Sequence, residues 1–254
     1  MGQSLVRALA DPGSSGLRLS GALASAASSR LQADAAIEGA PTGVSVTADL
    51  GVALTGAAVA VDFSLPQCTA LHAEACRDRG VPLLVGTTGF GPQARAVLEA
   101  VAERVAVLLA PNTSVGVAVL SRLAELAAAA LGEDYDTEIS EAHHRMKRDA
   151  PSGTALALGE AIAGTRGRQL ADLAVYDRHG SPGPRKPGSI GFSVLRAGDI
   201  VGEHTLTFAS QGERLELTHR ATDRMVFARG ALRAAEWLIG RPPGLYGMRD
   251  VLGL

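Results

Sequence analysis

Lysine is nearly absent from this chain: only Lys147 and Lys186 stand against 22 arginines. A composition so weighted toward Arg uses the guanidinium wherever a plain cation will do, so Lys147 marks a position that needs a compact ammonium. A marked excess of either charge is also missing. The formal net charge is −2 and the basic residues are dispersed, which excludes a nucleic-acid footprint and a polybasic membrane patch. No uninterrupted apolar run reaches the ~20 residues that cross a bilayer, and the N-terminus has no charged region followed by an apolar block. The expectation is a cytoplasmic protein acting on small molecules, with neither nucleic acid nor membrane as partner. Cysteine is limited to Cys68 and Cys76, which fall with His72 at i, i+4 and i+8 on one helix. Without a CxxC pair or a fourth ligand, that stripe reads as one face of a packed helix, and no metal site is expected.

At 254 residues and 46% hydrophobic content, the chain can bury a core in one large domain or two modest ones. From residue 57, continuous apolar strands alternate with helices: strands at Ala57–Ser64, Val81–Thr87 and Val105–Ala110, and helices opened by Pro66, over Pro92–Arg104 and over Val115–Leu131. This alternation predicts a Rossmann-like, doubly wound parallel sheet. Ligands in such folds lie beyond the carboxyl ends of the strands. Those ends carry Phe63 and Ser64, then Gly86, Thr87 and Thr88, then Ala110, Pro111, Asn112 and Thr113, small polar groups suited to a dinucleotide. Period-two patterning follows in Ser189–Arg196, His204–Ser210 and Arg214–Arg220, which reads as antiparallel strands of a second α+β domain with an open mixed or antiparallel sheet. Arg178–Gly188, with three prolines and three glycines, reads as a long mobile loop able to fold over a site. A last helix over Met225–Ile239 is expected to return to the first domain. The boundaries are residues 1–114 for the dinucleotide domain, 115–224 for substrate binding and assembly, and 225–254 for the returning helix and tail. A sheet with one obvious covering helix leaves a face that self-association would bury, so a homo-oligomer is expected.

Glu141-Ala-His-His-Arg-Met-Lys-Arg-Asp-Ala-Pro-Ser-Gly-Thr-Ala155 concentrates the chemistry. Pro151 and Ser152 fit a helix start, and Ser152, Gly153 and Thr154 lead into an apolar run through Ala163. Amides at a helix start, beside the positive end of its dipole, suit a carboxylate. Lys147 and the Thr154 hydroxyl add donors, and His143 or His144 can titrate near neutrality and supply a proton. Two alternatives stand beside this reading: a plain Ser152 cap on a solvated loop, and a metal held by His143 and His144, although adjacent residues usually point apart.

This stretch resembles the signature of the dihydrodipicolinate reductase family. The resemblance extends to Asp62-Phe-Ser, Gly86-Thr-Thr-Gly-Phe90, Asn112-Thr-Ser-Val-Gly116, Ala197-Gly-Asp-Ile-Val-Gly-Glu-His204 and Met248-Arg-Asp-Val-Leu252. It implies hydride transfer from NADPH or NADH to a cyclic dicarboxylate, 4-hydroxy-tetrahydrodipicolinate, with loss of water, in diaminopimelate and lysine biosynthesis. It implies that His143 is the proton donor and Lys147 a second acid and substrate contact, with His144, Ser152, Gly153 and Thr154 holding carboxylates. The cofactor contacts it implies are Phe63, Ser64, Gly86–Thr88 and Ala110–Thr113, with Arg224 and Phe227 near the nicotinamide and hinge, and the assembly is a homotetramer.

The N-terminus departs from that pattern, since Met1-Gly2 aligns with the end of a glycine-rich loop and the strand before it is missing. Such a strand lies centrally, so its absence is expected to leave unpaired edges, and about 15 further residues are expected in the natural protein. The second strand's end, Leu23-Ala24-Ser25-Ala26, has no acid for ribose hydroxyls. Arg30 is therefore a candidate partner for a 2′-phosphate. Two other readings remain: a truncated, weak or inactive dicarboxylate-binding tetramer of the same family, and a semialdehyde dehydrogenase, which needs a cysteine nucleophile at the cofactor cleft.

Overall fold

The structure, a computed structural model, describes residues 1–11, 16–180 and 183–254. Along the chain lie α1 (Gly2–Ala10), β1 (Ala22–Leu23), β2 (Val46–Thr47), α2 (Leu50–Ala53), β3 (Ala60–Asp62), α3 (Thr69–Arg79), β4 (Leu83–Val85), α4 (Pro92–Ala102), β5 (Ala106–Leu109) and α5 (Val115–Leu131). Then come β6 (Asp136–His143), α6 (Gly153–Thr165), α7 (Leu170–Leu173), β7 (Ala174–Val175), β8 (Ile190–Arg196), β9 (Gly202–Ser210), β10 (Glu213–Ala221), α8 (Met225–Leu238), β11 (Gly244–Tyr246) and α9 (Met248–Leu252). Two compact units result, one of Met1–Val115 with Met225–Leu254 and one of Gly116–Arg224.

In the first unit β11, β5, β4 and β3 form a parallel sheet in that order, while β1 and β2 form a separate parallel pair. Leu83, Val85 and Val107 pack with Ala73 and Cys76 of α3 and Leu98 and Val101 of α4. Alternation turns the fully buried Leu84 and Leu108 to the opposite face, which α8 crosses. Helices on both faces explain why these strands read as unbroken apolar runs. The chain ends meet where Ala8 of α1 packs against Ala228 and Leu232 of α8. β11, which pairs with β5, has no signal in the sequence pattern.

The second unit is a five-stranded sheet in the order β10-β9-β6-β8-β7. It is mixed: β9 runs antiparallel to β10 and β6, whereas β8 is parallel to both β6 and β7. The antiparallel expectation for Ser189–Arg196 is thereby corrected. β6, which the sequence reading did not see, is the central strand. Ile139, Leu206, Phe208, Ile190 and Phe192 form its covered face with Leu120, Ala124 and Ala128 of α5 and Leu158 and Ile162 of α6. The opposite face presents Ser140, Ser193, Glu216 and Thr218 to solvent.

α5 with its following turn spans 20 residues at a mean hydropathy of 1.6, apolar enough by composition to cross a membrane although Arg122 and Glu125 interrupt it. Its buried residues Leu120, Ala124 and Ala128 belong to the core just described. The loop read as mobile is tethered at both arms. Arg178 donates to both carboxylate oxygens of Glu138, and Arg185 bonds Glu138 and the Thr137 and Ser189 carbonyls. Residues 181–182 of that loop lie outside the described residues.

Candidate active site

Alternation along β6 places Thr137, Ile139, Glu141 and His143 on its covered face. The register carries that face across the sheet, with Ile139 opposite Leu206 and Phe192, Glu141 opposite His204, and His143 opposite Arg196. The face is therefore apolar at one end and ionic at the other. At the ionic end α6 begins, capped by Ser152, whose hydroxyl accepts the Ala155 amide at 3.2 Å.

Glu141 is the hub of this end, and its side chain is fully buried. Its carboxylate accepts the Nδ1–H of His143 at 2.6 Å, the Ser152 amide at 2.9 Å, and two N–H groups of Arg196 at 2.8 Å each. Burial favours the neutral acid, but Arg196, His143 and the Ser152 amide outweigh it and hold the carboxyl below its ordinary range. An ionised carboxylate can only accept, so Nδ1 of His143 carries the proton in that bond. Burial is also the leading influence on His143. It pulls the imidazole below its ordinary value, with Lys147 and Arg196 adding to that and Glu141 opposing it.

His204 lies edge-on to His143 with ring centroids 5.2 Å apart, and its Nε2 is 3.1 Å from the Ser152 hydroxyl. Since Ser152 Oγ already accepts from Ala155, its proton is available to His204. Burial foremost, then the His143 charge, takes His204 down to about 4. Its Nδ1 has no hydrogen-bond partner among the described residues.

The structure thus joins His143 and Ser152 through Glu141, and the Lys147 charge acts on both His143 and His204. Lys147 is half-buried, with Nζ 2.9 Å from Asp149, and its amide donates to the His144 carbonyl in a tight turn. His144 is half-buried just beyond β6. Gly153 is the exposed first residue of α6 and Thr154 is half-buried beside it. Ser152 is only 2% exposed, with hydroxyl and amide both committed inside the protein, so it shapes the helix start more than it presents a side chain to a ligand. Glu141, Arg196 and His204 had no role in the sequence reading. The readable signal was Glu141 two residues before His143, a spacing that puts both on one face of a strand.

In the other unit the register sets Asp62 beside Val85 and Val85 beside Leu109. Phe63–Ser64, Gly86–Thr88 and Ala110–Thr113 consequently leave one edge of the sheet together. A Cβ on Gly86 would stand 2.1 Å from the Phe63 ring, so glycine lets that aromatic lie against the backbone. The Thr87 hydroxyl donates to the Asp62 carbonyl at 3.3 Å, and Thr113 donates to the Phe227 carbonyl at 2.7 Å. Asn112 accepts the Ser114 amide, while Ser64, Thr88 and Pro111 are exposed. Buried Asp62 keeps one carboxylate oxygen without a partner among the described residues. Phe227 belongs to this unit and the exposed Arg224 to the other. Arg30, the candidate phosphate partner, donates to the Asp34 and Ala36 carbonyls and so braces its own loop. His72 differs from a purely packed residue: its Nδ1 lies 3.5 Å from Asp62 and 3.4 Å from the Ser64 hydroxyl. Cys76 is buried, its thiol pushed up to about 12 by desolvation and then by Asp62, which makes it a poor nucleophile.

A doubly wound α/β unit with polar strand ends and an α+β unit that gathers imidazoles and cations at one helix start together define an enzyme of the nucleotide-dependent type. Residues 1–113 match the family described as dihydrodipicolinate reductase, N-terminus, and residues 116–252 match dihydrodipicolinate reductase, C-terminus. The chain is 55% identical over 255 residues to the 4-hydroxy-tetrahydrodipicolinate reductase of Thiobacillus denitrificans, covering 100% of this chain and 95% of that protein. It is 49% identical to the enzyme of the same name from Nitrosomonas europaea, covering 100% and 94%. A dipicolinate-bound dihydrodipicolinate reductase from Paenisporosarcina sp. TG-14 shares the fold, with a TM-score of 0.76 at 24% identity over 98% of this chain and 94% of that one. The chain belongs to the dihydrodipicolinate reductase family.

Proposed function

We propose that this protein reduces 4-hydroxy-tetrahydrodipicolinate to tetrahydrodipicolinate with NADPH or NADH, in diaminopimelate and lysine biosynthesis. The observation that carries this reading is the buried Glu141, which ties His143 and the opening of α6 into one cluster beside Lys147. The relatives' names give the substrate class.

The strand ends of the first unit suit a nicotinamide dinucleotide. Small or polar groups leave three aligned strands, Gly86 lets the Phe63 ring lie against the strand end, and Asp62 retains an acceptor unfilled among the described residues. Phe63, Ser64, Gly86, Thr87, Thr88, Ala110, Pro111, Asn112 and Thr113 would hold it, with Arg224 and Phe227 near the nicotinamide. Bound there, the cofactor supplies the hydride.

The chain's own residues hold the dicarboxylate and move the proton. One carboxylate meets the amides of Gly153 and Thr154 and the Thr154 hydroxyl at the positive end of α6. His144 and the Lys147 ammonium add donors. Per turnover one hydride and one proton enter and one water leaves, so an acid must assist the departing hydroxyl. His143 fills that role through Nε2, because Nδ1 is engaged with Glu141. Its depressed basicity keeps it neutral in the free protein, and the incoming double negative charge draws a proton onto it. We further propose a homotetramer, in which the solvent-facing side of the second unit's sheet meets a partner through hydroxyls and carboxylates. Light scattering on the purified protein measures that mass.

The functional reading is tested by titrating NADPH fluorescence with and without pyridine-2,6-dicarboxylate, and by following NADPH oxidation with the hydroxy acid. Mutually enhanced binding and turnover are expected. Dicarboxylate binding without NADPH oxidation would instead favour the inactive alternative.

A further inference from the structure

The reductase reading leaves one buried charge without a role. Glu141 lies on the same face of β6 as His143, two residues earlier, and its side chain is fully out of solvent. A carboxylate there is tolerated only because every contact is a donor: His143 Nδ1–H, the Ser152 amide and the two N–H groups of Arg196. Arg196 also donates to the backbone carbonyl of Asp149 at 2.6 Å, the residue whose carboxylate pairs with Lys147. Three elements thus converge on one carboxylate, β6, β8 and the start of α6, and Arg196 ties the loop that carries Lys147 and Asp149 to them.

We propose that Glu141 is the positioning residue of this enzyme. It fixes His143 in the tautomer that leaves Nε2 for the substrate, and through the Ser152 amide it locks the carboxylate-binding start of α6 in the same frame. Neutral imidazole has two tautomers of similar energy, and only a fixed acceptor at one nitrogen selects between them. Glu141 is that acceptor. Gly202 lines the other nitrogen, where a Cβ would stand 3.1 Å from Nε2, so the sheet leaves room on the side that Glu141 keeps free. The same carboxylate offsets the positive groups around His143, which are Arg196 on β8 and Lys147 on the loop, while neutral His204 packs from β9. Asp149 partners Lys147 and so moderates that cation.

This proposal rests on the reductase reading, but its first test does not depend on turnover. Long-range proton–nitrogen NMR of the full chain, with His143 assigned by difference from a His143→Asn variant, reads the tautomer directly. Nδ1–H is expected in the parent protein, and an Nε2–H tautomer there overturns the proposal even if no Glu141 variant folds. Failure of the reductase reading would show separately, as absent turnover by the parent protein. Glu141→Gln is expected to mix the tautomers and to lower kcat with NADPH by roughly tenfold or more, by analogy with the carboxylates that orient metal-ligating histidines. The KM for the hydroxy acid should change less than kcat. Losing the negative charge also lowers the His143 pKa further, so the alkaline fall in activity should move to lower pH. Glu141→Asp, which keeps the charge, should recover part of kcat. A folded Glu141→Gln protein with the parental tautomer, kcat and pH profile overturns the assignment.

Discussion

Arg196 pairs with His143 across the sheet, yet its guanidinium reaches back to hold both carboxylate oxygens of Glu141 at 2.8 Å. A fork of this geometry matches a carboxylate as no ammonium can. Removing it strands a buried charge, so Arg196→Ala is expected to cost about 3 kcal/mol in urea unfolding. The pH sign follows from the Glu141 carboxyl, which is held below its unfolded value. That stabilisation is present above the unfolded pKa and disappears as pH falls through the lower folded one. Arg196→Ala should therefore flatten the acid limb of stability against pH.

In the proposed reaction, proton delivery falls to His143 and charge neutralisation to Lys147. His143→Ala and Lys147→Ala should each reduce turnover by roughly a hundredfold or more. Lys147→Arg should recover little, because a planar fork does not replace a compact ammonium. Steady-state rates with NADPH and the hydroxy acid check both, and near-parental rates in both alanine variants would defeat the assignment.

His204 gives the fold its own pH dependence. In the folded chain it resists protonation down to about 4, whereas the unfolded chain takes the proton near its ordinary 6.5. Between those values the unfolded state binds more protons, so stability rises with pH across that window. The contribution lost on acidifying through it is on the order of 3 kcal/mol. His204→Gln should remove that slope in thermal unfolding followed from pH 4 to 7.

Gly86 is tested by the smallest possible side chain. Gly86→Ala puts a methyl within 2.1 Å of the Phe63 ring, which must rotate away or lift the strand end. Overpacking of this kind costs about 1–3 kcal/mol. Fluorescence titration should show NADPH binding weakened by roughly tenfold or more, while pyridine-2,6-dicarboxylate binding in calorimetry stays close to parental.

The parallel strands of the first unit were legible because both faces are covered, which leaves unbroken apolar runs such as Val81–Val85. The α6 start was equally plain, since Pro151, Ser152 and Gly153 punctuate it. β6 was not legible. Its inward residues are Thr137, Ile139, Glu141 and His143, so the face that enters the core carries a single large apolar side chain and imitates an exposed segment. The direction of β8 was hidden for another reason, because a half-buried strand alternates in the same way whichever way its neighbour runs. Arg196 and Glu141 are 55 residues apart, and no local pattern announces an ion pair that only the sheet register creates.

The first unit is assembled from both ends of the polypeptide, with α8 lying over β4 and β5 and touching α1. During synthesis, residues 116–224 are finished while the face carrying Leu84 and Leu108 still lacks its cover. The unit that begins first on the ribosome is therefore the last to close, and its maturation waits on the final stretch from Met225 onward.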